Sequence, residues 1–144
     1  MPNRPIRQII HRQRSVTTTA ATTITEAARL MRDAKVGAVM VVDGPMLAGI
    51  FTERDALVRV LAEARDPKRT TVEEVMTRNP RTIEPDRPFS DALHIMYESG
   101  FRHVPVVENG WPVGMVSARD AIGPEMAEFE EESRVREHIA EVLG

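Results

Sequence analysis

The sequence predicts an α+β fold in which two β-α-β-β-α repeats pack with pseudo-two-fold symmetry and a helix follows at the C-terminus. The main evidence is an internal repeat, because displacing the chain by 65 residues aligns residues 17–55 with residues 82–120 without a gap. A unit of this length that occurs twice favours two halves with one shared interface over a solenoid. Each half alone would bury only a small core, so we expect the halves to fold by packing on each other.

The aligned positions keep the same residues in both copies. Small, apolar and charged positions all stay in register, which chance rarely produces over this length. The identical pairs are Ala27 with Ala92, Met31 with Met96, Val39 with Val104, Val41 and Val42 with Val106 and Val107, Gly49 with Gly114, and Arg54 and Asp55 with Arg119 and Asp120.

Helices are predicted at two places in each repeat. The first has apolar residues at i, i+3, i+4 and i+7, which is the spacing of one helix face. The second is expected after Thr52 and after Ser117. Between the copies, the prolines around residues 81–83 leave a short extended piece. The apolar helix faces are Ile24, Ala27, Ala28 and Met31 in the first copy, and Phe89, Ala92, Leu93 and Met96 in the second.

Strands are predicted between these helices. Residues 38–42 and 103–107 are β-branched runs of strand length, too apolar to be solvated on both faces, and they indicate buried central strands. Turn residues follow each run and favour a hairpin back to a second strand. The turns and second strands are residues 43–45 and 47–51 in the first copy, and 108–110 and 113–116 in the second.

The composition is that of an ordinary globular protein. The 144 residues are 42% hydrophobic and 28% charged, with a formal net charge of −3 and no cysteine. The lack of cysteine excludes disulfides and thiolate chemistry, and it agrees with a reducing cytoplasm. The longest apolar run is far shorter than a membrane-spanning helix, and no N-terminal stretch resembles a secretory signal. We expect a cytoplasmic protein with repeats at residues 6–66 and 71–123 and an acidic helix at residues 124–144.

Charge is distributed unevenly between the two ends of the chain. Four arginines precede the first acidic residue, Glu26, whereas residues 123–144 contain seven glutamates and two arginines. The basic end is compatible with an organelle transit peptide or a nucleic-acid arm. We favour a third interpretation, in which it belongs to the first repeat, because Ile6 and Ile10 keep the 65-residue alignment. The arginines are Arg4, Arg7, Arg12 and Arg14, and the acidic end has the narrow apolar edge Val135, Ile139 and Val142, typical of a solvated terminal helix.

One short motif recurs where each copy is expected to pass from strand to helix. Thr52 is followed three residues later by Asp55, and Ser117 is followed at the same spacing by Asp120. A hydroxyl and a carboxylate at this spacing form a capping box, a structural role that needs no ligand. The same groups suit a nucleotide, because a helix N-terminus binds phosphate and a carboxylate accepts hydrogen bonds from ribose hydroxyls. The residues leave both roles open.

With these motifs the chain resembles a tandem pair of cystathionine-β-synthase (CBS) domains, often called a Bateman module. The resemblance covers nearly all of residues 6–123. It rests on the signature Gly-apolar-x-Thr/Ser-x-x-Asp at residues 49–55 and 114–120, on the RHVPV strand at residues 102–106, and on the VMTRNP linker at residues 75–80. The resemblance implies adenine-nucleotide binding in clefts between the two copies, and disc-like homodimers.

The resemblance also implies roles for particular residues. The signature Asp would bind ribose, the Thr or Ser would lie near ribose or phosphate, and residues beside the Pro-Val strand would line adenine and phosphate. The copies differ, because Met40 and Gly37 in the first stand where the second has Pro105 and Arg102, so we expect unequal sites. The candidate nucleotide-binding residues are Thr17, Gly37, Ala38, Thr52, Asp55, Thr82, Arg102, His103, Pro105, Ser117, Arg119 and Asp120.

Two classes of function remain, and catalysis has no support. The four histidines show no metal-ligand spacing, and no Ser-His-Asp grouping can be assembled. We therefore expect no enzyme, no catalytic cofactor and no metal. The first hypothesis is a sensor that binds AMP, ADP, ATP or NAD(H), at one site per chain rather than two, and acts on a separate effector protein. The alternative is a ligand-free dimerisation scaffold in which the signature residues only cap helices.

A third and weaker hypothesis is contact with nucleic acid through the basic N-terminal segment. The net negative charge and the small number of aromatic residues count against it. We therefore expect neither nucleic acid nor a membrane among the partners.

Overall fold

The computed structural model describes residues 4–11, 13 and 15–143 of the chain. Each repeat has its own β-sheet. The first sheet has four strands and the second has two. These sheets and the helices around them confirm the predicted α+β fold with two related halves. Two arginines of the basic segment, Arg12 and Arg14, lie outside the described residues, as does Gly144.

The first repeat follows the predicted order of strand, helix, strand, strand and helix. Its first strand pairs in parallel with the second, which forms an antiparallel hairpin with the third. The final helix begins with one α-helical turn and continues as a π-helix. The elements of the first half are α1 (Ile6–Ile10), β1 (Thr17–Thr19), α2 (Ile24–Ala34), β2 (Ala38–Asp43), β3 (Met46–Thr52), α3 (Glu53–Asp55) and its π-helical continuation (Ala56–Leu61).

The second repeat keeps the hairpin but has shorter outer elements. Its predicted first strand is reduced to one bridge between Ile83 and Val106, and the helix predicted after Ser117 is limited to a single 3₁₀ turn. Pro124 explains the second difference, because proline lacks the amide N–H that a helix continuing from the turn would need, although it is accepted in the first turn of α6. The elements are α4 (Val72–Val75), β4 (Thr77–Arg78), α5 (Phe89–Ser99), β5 (His103–Glu108), β6 (Trp111–Ser117), the 3₁₀ turn (Ala118–Asp120) and α6 (Gly123–Leu143).

Local signals fix the ends of α2 and α5. The Glu26 amide donates a hydrogen bond to the Thr23 hydroxyl at 3.2 Å, which caps the start of α2. Lys35, with a φ of 58°, and Gly100, with a φ of 72°, end the two helices in the left-handed conformation. Both helices therefore turn at the same point of the repeat and feed directly into the central strands β2 and β5.

Each repeat receives a short leading helix from the other repeat. Helix α1 precedes the first repeat, yet Ile6 and Ile10 are buried in the second core against α5 and the β5–β6 hairpin. Helix α4 precedes the second repeat, yet Val72 and Val75 are buried in the first core around Phe51. Apolar burial of this kind is the main favourable term in folding. The two cores therefore complete each other.

Backbone hydrogen bonds hold the exchanged helices in place. The Ile6 amide donates to the Arg87 carbonyl at 3.0 Å, and the Val72 amide donates to the Thr22 carbonyl at 2.8 Å. The described part of the basic N-terminal segment is thus built into the fold, but it packs in the core of the second repeat and not in that of the first.

The signature glycines leave room for the same exchanged segments. A Cβ atom at Gly49 would lie 2.6 Å from the Met76 Sδ and 2.8 Å from the Thr77 carbonyl oxygen. At Gly114 it would lie 2.8 Å from the Ile10 Cβ. Because such contacts force neighbouring atoms apart, these glycines serve the packing between the two copies.

The apolar contacts of α6 with the core of the second repeat come from its first half. The Phe129 ring lies 5.0 Å from the His94 ring and 5.9 Å from the Tyr97 ring, both in edge-on geometry. Farther along, Val135 and Ile139 are about half exposed, as expected for a solvated terminal helix. None of the helices in the described residues is long and apolar enough to cross a lipid bilayer.

The exchanged helices generate the first prediction. We expect Ile6→Ala to lower the free energy of unfolding by about 2–5 kcal/mol, because the Ile6 side chain is fully buried and its loss leaves a cavity. Urea denaturation measures this difference. Val142→Ala removes apolar atoms at a side chain that is 69% exposed and serves as the control. Equal stability of the two variants would mean that α1 is not part of the core.

Candidate functional site

The first signature motif is engaged within the protein. The Thr52 amide donates to the Asp55 Oδ2 at 2.9 Å, and the Asp55 amide donates to the Thr52 Oγ1 at 3.2 Å. The other carboxylate oxygen of Asp55 lies 3.7 Å from the Arg59 Nε, and Asp55 is only 8% exposed. This Asp therefore caps α3 and pairs with a neighbour one helical turn away.

The second signature motif has the same cap but is more open. The Ser117 amide donates to the Asp120 Oδ2 at 2.7 Å. No ion-pair partner for the Asp120 carboxylate exists among the described residues, and its side chain is partly exposed and lines a cleft. The Arg4 guanidinium donates to the backbone carbonyl of Asp120 at 2.8 Å and to the Glu125 carboxylate, which fixes the turn against the start of α6. Asp120 is thus held in place and remains accessible.

This accessible Asp120 lines a wide cleft between the two repeats. The cleft has two parts, which we name lobe A and lobe B, with volumes of about 830 and 610 Å³. They have six lining residues in common and are therefore adjacent. The shared wall consists of Lys35, Val36, Gly37, His103, Ser117 and Arg119.

The two lobes differ in chemistry. Lobe A contains Thr17 and the two carboxylates Asp33 and Asp120, while its apolar surface comes from both repeats. Lobe B contains the cations Arg32 and Arg102 in addition to those of the shared wall. The apolar lining of lobe A is Val16, Leu30, Met40, Met115 and Val116. The wide cleft therefore offers an apolar surface, carboxylates and a cationic surface.

A second, narrow cleft occupies the pseudo-symmetric position. It has a volume of about 140 Å³ and is lined by Thr52 and Arg54 of the first repeat and by Phe101 and Arg102 of the second. The residues that align with Phe101 and Arg102 are the smaller Val36 and Gly37, which line the wide cleft. The larger side chains lie in the narrow cleft, and the two clefts are unequal in volume.

His103 lies at the boundary of both clefts. A Cβ atom at Gly37 would approach the His103 Cε1 to 3.3 Å and the Glu53 Oε1 to 3.0 Å, so glycine permits this close packing. Burial lowers the pKa of His103 below its ordinary value of 6.5, and the charges of Arg102 and Arg119 lower it further. Glu53 and Asp120 act in the opposite direction without cancelling the effect of burial. His103 is therefore neutral at pH 7.

Several cations at the wide cleft have no carboxylate partner. Lys35, Arg102 and Arg119 form no ion pair with any residue that the structure describes. Arg32 and Lys35 are not among the candidate residues that the sequence predicts. The alignment of Lys35 with Gly100 does mark the turn between helix and strand in both copies, and it is the one sequence signal that points to this position. Unpaired cations facing a cleft attract anions.

The predicted site residues separate into three groups. Some line the wide cleft, some line the narrow cleft, and others lie away from both. Ala38 is fully buried, Pro105 is also in the core, and Thr82 is exposed elsewhere. The wide cleft contains Thr17, Gly37, Arg102, His103, Ser117, Arg119 and Asp120, the narrow cleft contains Thr52, Arg102 and His103, and neither contains Ala38, Asp55, Thr82 or Pro105.

Comparison with known proteins identifies the family. The CBS domain profile matches residues 6–62 and 72–123. The chain belongs to the CBS domain family. Its two CBS domains correspond to the two repeats that the sequence predicts, and the proteins of known structure that it resembles include regulatory types.

Several relatives show the extent of this similarity. The chain is 39% identical over 104 residues to CBSCBSPB2 of Arabidopsis thaliana. The aligned region covers 72% of this chain and 19% of that protein. It is 34% identical over 115 residues to the mitochondrial CBSX3 of the same plant, covering 76% of this chain and 56% of CBSX3. The chain thus spans about a fifth to about a half of the length of these relatives.

Solved structures share the fold. A signal-transduction protein with CBS domains from Burkholderia ambifaria superimposes with a TM-score of 0.76 at 34% identity, covering 81% of this chain and 90% of that one. A CBS domain protein from Pyrobaculum aerophilum, determined in complex with AMP, gives a TM-score of 0.79 at 23% identity, covering 89% and 99%. The second comparison bears on the fold alone.

The buried His103 generates a prediction on pH dependence. Because its pKa is lower in the folded state than in the unfolded state, the unfolded chain binds this proton more readily, and stability falls as the pH drops below about 6.5. We expect His103→Gln to lose less thermal stability than the wild type between about pH 7.5 and pH 5.5. The exposed His138, changed in the same way, is the control. An unchanged pH dependence in His103→Gln would contradict the assignment.

Proposed function

We propose that this CBS domain pair binds an adenine nucleotide in the wide cleft and acts as a non-enzymatic regulatory module on a separate effector protein. The observation that carries the proposal is the accessible Asp120 carboxylate, which faces an apolar surface and adjoins unpaired cations. A nucleotide needs a carboxylate for its ribose, an apolar surface for its base and cations for its phosphate.

Each part of the ligand has a suitable partner. Ribose hydroxyls donate hydrogen bonds to the Asp120 carboxylate, and charge-assisted bonds of this type contribute roughly 1.5–3 kcal/mol each. The adenine ring packs against the apolar lining of lobe A, as bases and other flat ligands do in largely apolar pockets. The phosphate lies near Arg119 and Lys35, and an Arg fork holds phosphate in a bidentate manner.

The proposed ligands are AMP, ADP, ATP and NAD(H). The Pyrobaculum aerophilum protein, whose fold this chain shares, was solved in complex with AMP. The volume of lobe A, about 830 Å³, falls within the roughly 300–1,000 Å³ of ordinary ligand pockets.

One site per chain is the proposed stoichiometry. The pseudo-symmetric Asp55 caps α3, pairs with Arg59 and does not line the narrow cleft. These contacts favour the scaffold hypothesis for the first motif alone, because there the hydroxyl and the carboxylate serve as a helix cap.

The output is proposed to pass through α6 and through a homodimer in the cytoplasm. Asp120 stands three residues before α6, and Arg4 bridges the Asp120 carbonyl to Glu125 in its first turn. A ligand that binds one conformation of this turn more tightly than another increases the population of that conformation. Leu57 and Leu61, exposed on the π-helix by 58% and 72%, offer an apolar surface for a second copy.

A matched pair of variants tests the proposal. We expect Asp120→Ala to abolish nucleotide binding, because the ribose loses its acceptor. We expect Asp55→Ala to retain binding and to lose about 0.5–2 kcal/mol of stability, because it removes a helix cap. Calorimetric titration with AMP, ADP, ATP and NAD⁺ measures binding, and urea denaturation measures stability.

Two results would count against the proposal. Absence of binding by the intact protein to all four ligands would favour the ligand-free scaffold. Loss of nucleotide binding in Asp55→Ala, together with retained binding in Asp120→Ala, would indicate that the nucleotide binds in the narrow cleft.

A further inference from the structure

We propose that the wide cleft selects a nucleotide with more than one phosphate, whose terminal phosphates lie in lobe B. This inference rests on the proposed function, because it assumes that the nucleoside occupies lobe A. It names the ligand class within the adenine nucleotides, as ADP or ATP in preference to AMP.

The distribution of side chains between the lobes gives the first argument. Asp120 and the apolar lining belong to lobe A alone, whereas Arg32, Arg102 and Glu53 belong to lobe B and not to lobe A. A ribose on Asp120 directs its first phosphate toward the shared wall, where Ser117 and Arg119 lie. Any further phosphate must then enter lobe B, which is the region beyond that wall.

Charge gives the second argument. Four cations line lobe B, namely Arg32, Lys35, Arg102 and Arg119, against the single carboxylate of Glu53 among its described lining residues. Three of these cations have no ion-pair partner in the described parts of the chain, and the fourth, Arg32, lies 2.9 Å from the Asp33 carboxylate. Each additional phosphate adds negative charge and acceptor oxygens that satisfy unpaired guanidinium donors.

Space gives the third argument. Lobe A, at about 830 Å³, is already large enough for a nucleoside monophosphate, since pockets of roughly 300–1,000 Å³ hold ordinary small ligands. Lobe B adds about 610 Å³ whose lining is more charged than that of lobe A. A monophosphate leaves this cationic volume to solvent, whereas a triphosphate chain extends into it.

The experiment compares ATP with AMP, without divalent metal, on the full chain. We expect ATP to bind the wild type at least about tenfold more tightly than AMP, because one further charge-assisted contact contributes that much. We expect Arg32→Gln combined with Arg102→Gln to weaken the binding of ATP by about tenfold or more and the binding of AMP by less than about threefold. Isothermal titration calorimetry measures both affinities.

A matched double variant controls for general charge effects. Arg29→Gln combined with Arg65→Gln makes the same chemical change at two exposed arginines that line neither cleft. We expect it to leave both affinities within about twofold of the wild type, because distant exposed charges are screened.

The outcomes separate this inference from the proposed function. Equal affinities of the wild type for AMP and ATP, or equal weakening of both by the lobe B variant, would overturn the inference. An equal loss of ATP affinity in the control variant would overturn it as well. If AMP still binds and Asp120→Ala abolishes that binding, the proposed function survives these results, whereas failure of both nucleotides to bind would overturn both.

Discussion

The exchange of leading helices between the two repeats is the constraint on which the rest of the structure depends. Ile6 and Ile10 complete the second core, while Val72 and Val75 complete the first. Neither repeat buries its own apolar surface in full, so the two must fold together. The clefts lie between the repeats, and a stable interface between the repeats is what brings Thr17 of one copy and Asp120 of the other to the same cleft. The candidate site is therefore a consequence of how the cores are completed.

Duplication supplied two equal motifs, and local sequence made them unequal. After Asp55 the chain continues as a helix, and Arg59 one turn later pairs with the carboxylate. The position that aligns with Arg59 is Pro124, which neither carries a charge nor allows the helix to continue through it. The second motif therefore ends in one 3₁₀ turn, and Asp120 remains open to the wide cleft. The same two signature residues act as a cap in one copy and as a candidate ligand group in the other.

Much of the fold follows from patterns within the sequence. The 65-residue offset predicts matching hairpins in the two copies, and the structure contains both. It also shows a bulge at the equivalent place in each, Val41/Val42 and Val106/Val107. The exchange of α1 and α4 could not be predicted, because periodicity shows which residues are buried but not which core they join. The cationic lobe was also missed. Arg32 and Lys35 occupy an exposed helix end that looks like any solvated surface until the second repeat is placed beside it.

Native-state hydrogen exchange tests the central claim most directly. If each core needs the leading helix of the other, the slowest amides of the first core, such as those of Val39 and Phe51, and of the second core, such as those of Val104 and Val116, exchange through one global opening. The account predicts that both sets report the same free energy of opening and the same dependence on urea. Protection that is lost in one core at a clearly lower free energy, while the other core stays closed, would contradict it.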